Sequence, residues 1–521
     1  MILATLMRPK IVIAPRRSMI WFALLSMAMV IASYLFVILL AAACVYFPFW
    51  LLARLQILQL QVLLFLLGGV VIACLMIWSI LPRRDKFAAP GPLLKRESHP
   101  RLFAELDETA AFLDETLPRD VYLTDEVNAF VANRGGILGF GSHRIMGIGL
   151  PLLSILSVSE CRAIMAHEFA HYYGGDTKLS PFVYRTQTAI ARAFQTVGFI
   201  QELDGVHAIR ALASLVSLVL QQYFTLFLRV TKLVSRKKEY RADELACLVA
   251  GVAPFRRGLQ KIHASDIAWA VYWGTEIEPL LKLSYIAPLA AGFAQFLADS
   301  DLAAQLMQLV DKEIEQTKTN PFDTHPPLRN RIAAVEQLLV PPTDEDCTPA
   351  ISLLDGLQST ELRLIAFANP KLDSNSLRPV SWEHIGPIVT IPAWKAVVNE
   401  HGSLLRGVTV GAFPDLLASV RDRSRMPDPP GMLLAREQRV DRVRQLLSSS
   451  LALALLEKGW HLEIKPGVFH FHRASERADA LAMVNELIAG DVTAEAWIEK
   501  CTQLGIRDSL LVPAASLDPA D

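Results

Sequence analysis

His167-Glu168-Phe169-Ala170-His171 is the stretch of this 521-residue chain where residue type and spacing together offer chemistry. On an α-helix, residues four apart lie one turn from each other on one face, so both imidazoles reach a single metal ion while Glu168 projects beside them. This is the H-E-x-x-H arrangement for zinc. A hydrolytic zinc takes three protein ligands and leaves a fourth position for water, whose pKa falls to ~7. Glu168 is then placed to take that water's proton and return it to a leaving amine. The expected cofactor is one zinc ion per chain.

A third ligand must come from elsewhere. The best source is the helix-forming stretch Arg236 to Ala246, where Glu239 and Asp243 share one face. One carboxylate can bind the metal while the other holds the remaining N–H of a ligand histidine, fixing its tautomer. Spacing leaves open which does which, and Asp243 also reads as a plain salt-bridge partner on a charged helix surface.

The zinc pair needs a rigid platform. Residues 157 to 173 read as a helix opened by Ser157-Val158-Ser159-Glu160, a capping box, and closed by Gly174-Gly175. Upstream, residues 100 to 117 have apolar positions at helical spacing. Val121 to Leu123, Ala129 to Val131 and Arg144 to Leu150, broken by Gly135-Gly136 and Gly139 to Gly141, suggest a small sheet with tight turns.

Ahead of these elements, Ser18 to Ala53 and Leu55 to Pro82 contain no charged residue, with Arg54 alone between them. Each run exceeds the ~20 residues of a membrane span, and a cleavable signal would be apolar for only ~7–15. Arg8, Lys10, Arg16 and Arg17 precede the pair; Arg83, Arg84 and Lys86 follow it. By the positive-inside rule both flanks face the cytoplasm. Tyr46, Phe47, Phe49 and Trp50 suit the opposite interface.

Composition agrees with a bilayer: 52% of residues are hydrophobic and only 20% charged. With 51 Lys+Arg against 52 Asp+Glu there is no global positive field to hold nucleic acid. The six cysteines are scattered without a C-x-x-C, which argues against a disulfide framework or a thiolate zinc site.

These motifs together resemble the HtpX-like and CAAX-prenyl-protease-type membrane zinc metallopeptidases, of the gluzincin group, over roughly residues 90 to 335. His167 to His171 matches the family's zinc helix, and Glu239-Tyr240-Arg241-Ala242-Asp243 is similar to its E-x-x-A-D signature. Thr324-His325-Pro326-Pro327 and Arg331-Ile332 are similar to its T-H-P-P and R-I element. The resemblance implies peptide-bond hydrolysis, Glu239 as third ligand and Asp243 as its supporting residue. It also implies His325 as a catalytic residue stabilising the oxyanion, where the sequence alone gives a loop histidine. Asn128, Ala129 and Phe130 resemble the strand beside the cleft, so a substrate would add there as an extended strand. An interior strand, with no free edge, is the alternative.

The sequence departs from the family between the zinc helix and Glu239. Ala211 to Leu228 is uncharged but marginal in length and contains Gln221 and Gln222. One crossing there would put ligands of one metal on opposite sides of the bilayer, so the number of crossings must be even. The only upstream partner carries Arg185 and Arg192, each costing ~2.5–3.5 kcal/mol at a membrane centre. Zero crossings is therefore expected, with 211–228 a buried or interfacial helix.

Beyond a Pro/Asp/Glu-rich linker at 341–346, the remainder reads as mixed α/β, with a hairpin at Trp460 to Phe471. His470 and His472 face one side of that hairpin but lack a third ligand.

The fold expected is mainly α with a small β-sheet. A basic cytoplasmic segment (1–17) and a two-helix transmembrane hairpin (18–82) precede a zincin-like metalloprotease domain (90–340) and a C-terminal α/β domain of unassigned role (341–521). The function expected is a zinc metalloendopeptidase acting on polypeptides. It would sit in the cell's inner or plasma membrane with both termini and the catalytic domain in the cytoplasm. The competing reading is a membrane-anchored scaffold with a structural metal. Structural zinc is normally closed by four protein ligands, whereas two His, one Glu and Glu168 leave a position open.

Overall fold

The computed structural model describes residues 17–55, 60–83, 85–136, 141–173, 180–202, 207–299, 308, 312, 326–341, 343–420 and 436–512. The chain is mainly helical with small sheets, and it divides into two compact units. One comprises Met1–Asp266 with Leu306–Pro370, the other Ile267–Gln305 with Lys371–Asp521.

The first unit begins with two apolar helices, α1 (Arg17–Leu55) and α2 (Leu60–Ile80). In lipid every backbone polar group must be bonded within its own segment, and a helix does this. Both leave large apolar side chains outside any protein core: Trp21, Leu24, Ile31, Leu35 and Leu39 on α1, Leu63, Leu67 and Trp78 on α2. A water-facing surface avoids such a belt. The two helices approach closely where a Cβ on Gly69 would stand 2.1 Å from the carbonyl oxygen of Cys44.

After these comes a short strand β1 (Leu93–Leu94), then helix α3 (Pro100–Phe112) and strands β2 (Asp120–Thr124), β3 (Ala129–Arg134) and β4 (His143–Gly149). The sheet order is β1-β2-β4-β3, with β2 parallel and β3 antiparallel to β4. Residues 129–134 thus form an end strand with β4 as its one neighbour in the sheet. Phe130 lies across from Gly147, where a Cβ would come 2.4 Å from its ring; only glycine leaves room. Helix α4 (Leu150–Ile155) leads directly into the zinc-motif helix α5 (Val158–Ala170). The Gly174-Gly175 stop expected for α5 lies outside the described residues.

Helices α6 (Ser180–Glu202) and α7 (His207–Ala250) complete this unit's long elements. Residues 211–228 are not a separate helix, as the sequence suggested, but the first half of the 44-residue α7. Among the described residues, three helices are long and apolar enough to cross a membrane, α7 among them. Ala189, Ala193 and Val197 of α6 and Leu212, Ala213, Val216 and Leu220 of α7 share one core with Val37, Ala41 and Cys44 of α1 and Ile72, Ala73 and Met76 of α2. Tyr223 stacks on Phe36 at 4.0 Å, with its hydroxyl 2.9 Å from Ser33 Oγ. Arg192, counted from sequence as a bare charge, donates from Nε (3.2 Å) and Nη2 (3.0 Å) to Ser79 O, a carbonyl left open in the last turn of α2.

The linker expected at 341–346 does not divide the units. Ser157 and Pro349 form a bridge, Ala350 N donates to Leu156 O (2.8 Å), and residues through 370 stay with the first unit. The second unit packs helices and a three-stranded antiparallel sheet (His461–Lys465, Val468–Arg473, Glu476–Ala478) around Trp460, Phe471, Phe413 and Trp497.

Candidate metal centre

The zinc-motif helix α5 is anchored at its N-terminus more firmly than its sequence announces. Ser157 Oγ accepts from Glu160 N (3.3 Å) and Glu160 Oε2 accepts from Ser157 N (2.9 Å), closing the capping box. The two N–H groups that the box leaves open are met by the linker backbone: Val158 N donates to Thr348 O (2.8 Å) and Ser159 N to Asp346 O (3.1 Å). Glu160 is buried and bound by Arg257 Nε at 3.0 Å and Lys261 Nζ at 2.7 Å. Burial opposes its charge, but Lys261, the Ser157 N–H and Arg257 outweigh burial and lower its pKa.

At the other end of α5, the buried His167 and the C-cap His171 bring their rings to 4.8 Å. The carboxylate of Glu239 on α7 faces both: Oε2 is 3.5 Å from His167 Nε2 and Oε1 3.5 Å from His171 Nε2. One donor atom from each residue lies within 4.8 Å of the other two. α5 and α7 pack against each other, so the site is built where the two helices meet.

One turn beyond Glu239, Asp243 is fully buried, with Oδ1 3.0 Å from His167 Nδ1. It also accepts from Arg331 Nε (2.9 Å) and Nη2 (2.6 Å), a bidentate pair reaching in from helix Leu328–Glu336. Burial disfavours the Asp243 charge; His167 and Arg331 outweigh it and hold its pKa below the usual carboxylate range. Glu239 thus faces both Nε2 atoms, and Asp243 faces the far side of His167. Glu168 follows His167 and is half-buried.

The end strand β3 packs on α5, and Tyr172 ties the two together by donating from its hydroxyl to Val131 O at 3.0 Å. Burial pushes the Tyr172 pKa up to about 12, so it remains a neutral donor. Asn128 is exposed just before β3, and its Oδ1 accepts from Ala129 N (2.9 Å). Ala129 is buried and Phe130 half-buried. His325 lies outside the described residues. Sequence reasoning passed over Arg331 and Tyr172 as site residues. Arg331 stood within a motif already noted, but its partner is 88 positions away. Tyr172 carried no signal beyond adjacency to His171.

In the second unit Glu463, His470 and His472 also gather donor atoms within 4.8 Å. Glu463 supplies the third group missing from the sequence argument, but Lys465 Nζ (2.6 Å) and His470 Nε2 (3.3 Å) engage its carboxylate as an ion-paired strand face.

The pattern of peptidase family M48 matches residues 97–339. That interval contains His167, Glu168, His171, Glu239, Asp243 and Arg331. The chain is similar to a protease HtpX homologue of Ralstonia pickettii (strain 12J), 25% identical over 246 residues, which covers 46% of this chain and 74% of that protein. It is similar to another from Ralstonia nicotianae (strain ATCC BAA-1114 / GMI1000), 25% identical over 238 residues, 45% of this chain and 72% of that one. The protease HtpX of Pasteurella multocida (strain Pm70) is 26% identical over 231 residues, 42% and 65% of the two chains. No solved structure matches.

Proposed function

From the premise that the chain is an HtpX-like member of peptidase family M48, a membrane protease, we propose that it is a zinc-dependent endopeptidase whose metal is held by His167, His171 and Glu239. The observation that carries this reading is the Glu239 carboxylate, poised 3.5 Å from both Nε2 atoms. Two imidazole nitrogens and one carboxylate oxygen fit zinc, and three protein donors suit a catalytic rather than a closed structural site. When bound there, zinc supplies a Lewis acid for the substrate carbonyl and acidifies the attacking water.

The chain's own residues do the rest. Asp243 Oδ1, 3.0 Å from His167 Nδ1, favours the tautomer with the proton on Nδ1, leaving the lone pair of Nε2 for the metal. Arg331 keeps Asp243 ionised within the protein. Glu168 takes the proton of the attacking water and returns it to the leaving amine. The free edge at Asn128, Ala129 and Phe130 accepts an extended polypeptide, aligning its scissile carbonyl with Glu168. His325, on the family resemblance, donates to the oxyanion.

The shared core of α1, α2, α6 and α7 supports a common membrane arrangement of these helices. α6 and the first half of α7 pack beside the first hairpin, and an even number of crossings between His171 and Glu239 keeps both on one side of the bilayer. Arg192 donates to Ser79 O, which solvates its guanidinium without neutralising it. The positive flanks put the catalytic residues on the cytoplasmic face.

The test compares purified protein with Glu168→Gln. Both should bind one zinc per chain, and only the parent should cleave an unfolded polypeptide. Equal cleavage by the two would reject the mechanism.

A further inference from the structure

A cavity of about 700 Å³ opens where α2 ends, lined by residues from α1, α2, the segment after α2, β3 and α6. Five cationic side chains converge on it, Arg83, Lys86, Arg134, Arg185 and Arg192, against the single carboxylate of Asp85. That carboxylate is already committed. It pairs with Arg134 Nε (3.1 Å) and accepts from Gly135 N (2.8 Å), fastening the end of β3 to the segment after α2. Among the described residues, Arg83, Lys86, Arg185 and Arg192 have no carboxylate partner. Arg192 spends its donors on Ser79 O, while Arg185 places Nη2 on Gly135 O (3.3 Å) and leaves Nη1 buried without a hydrogen-bond partner.

The apolar part of the lining is Ile80, Leu81, Pro82 and Ala189 with the rings of Tyr34 and Tyr184, and Asn133 and Thr188 complete it. Around it, Trp78, Leu81 and Tyr184 are exposed by 64%, 45% and 65%, the side chains expected at a membrane–water interface. A flanking charge that only orients the hairpin would be solvated and separate. Here the charges are gathered in a concavity bordered by exposed apolar and aromatic side chains.

We propose that this cavity binds the phosphate group of an anionic phospholipid from the cytoplasmic leaflet, with Arg83, Lys86 and Arg185 as its principal contacts. The ligand chemistry is a singly charged phosphodiester. A soluble phosphate would satisfy the cations but not the apolar lining, and a zwitterionic headgroup would bring a further cation among four uncompensated ones. Asn133 and Arg134 belong to both this cavity and β3. An occupied site therefore braces the strand that borders the metal centre.

The experiment uses the full chain, delipidated in detergent and titrated with fluorescent phosphatidylglycerol or phosphatidylcholine. Inorganic phosphate and glycerol 1-phosphate serve as competitors. Phosphatidylglycerol should bind about tenfold or more tightly than phosphatidylcholine. Combining Arg83→Gln, Lys86→Gln and Arg185→Gln should weaken its binding on the order of a hundredfold, at about fivefold per charge. A control triple at the exposed Arg119, Lys282 and Arg507 should bind as the parent does. Zinc content in the same samples reports whether a variant has folded. Should the triple fail to fold, the exposed Arg83→Gln alone should lose about fivefold, and Arg185→Lys should retain parental binding. Equal affinity for the two lipids, or parental affinity in the charge-deficient variants, would overturn the site. Full displacement by millimolar inorganic phosphate would make it a soluble-anion site and overturn the lipid assignment.

Discussion

Replacing Asp243 by asparagine keeps the shape of the side chain and removes one charge from the buried line Arg331–Asp243–His167. Arg331 is 5% exposed and its bidentate partner 0% exposed, so the substitution strands a guanidinium that water cannot reach. Removing one member of a buried pair costs about 3–5 kcal/mol, and the amide oxygen left in place as an acceptor argues for the lower end, about 3 kcal/mol. The same change weakens the restraint on His167 Nδ1, and loss of such an outer partner lowers metal affinity about 10–100-fold. Thermal unfolding of the detergent-solubilised protein and zinc competition against a chelating dye measure the two effects separately. Adding Arg331→Met removes the stranded charge, so the double variant should recover much of the stability but not the zinc affinity. Parental stability and parental zinc affinity in Asp243→Asn would refute this coupling. Strictly additive stability losses in the double variant would refute the buried pair.

The Glu160 pKa is lowered in the folded chain, so its contribution to stability is present above the ordinary carboxylate value of 4.5 and is lost as pH falls through the lowered one. Glu160→Gln should flatten that acid limb of an unfolding-versus-pH curve, and an unchanged limb would count against the network at the start of α5. Gly147→Ala places a methyl 2.4 Å from the Phe130 ring and should cost about 1–3 kcal/mol, read as a lower unfolding temperature. Pairing it with Phe130→Ala should return most of that loss.

How much of this was legible depended on how far apart in sequence the partners lie. The histidine pair and its capping box are local, and a helix of fixed pitch turns their spacing directly into geometry. Glu239 and Asp243 share a face, so spacing leaves both as candidates for the third ligand, and it is the packing of α7 on α5 that turns the Glu239 carboxylate toward both Nε2 atoms. Arg331 acts through a contact that no local pattern encodes. At 211–228 the sequence counts Arg192 as an isolated charge, whereas the open carbonyl of Ser79 meets it, a contact 113 positions away that no local pattern encodes. The Pro- and acid-rich stretch at 341–346 looked like a linker by composition. Its last residue Asp346 and the following Thr348 instead supply carbonyls to the first turn of α5, a use of backbone that side-chain identity does not reveal.

Zinc-edge X-ray absorption of the metal-loaded chain bears most directly on the central claim. The account predicts two imidazole nitrogens per zinc with oxygen completing the shell, and a loss of zinc occupancy in Glu239→Ala. Sulfur in the shell, a single imidazole, or unchanged occupancy in Glu239→Ala would contradict it.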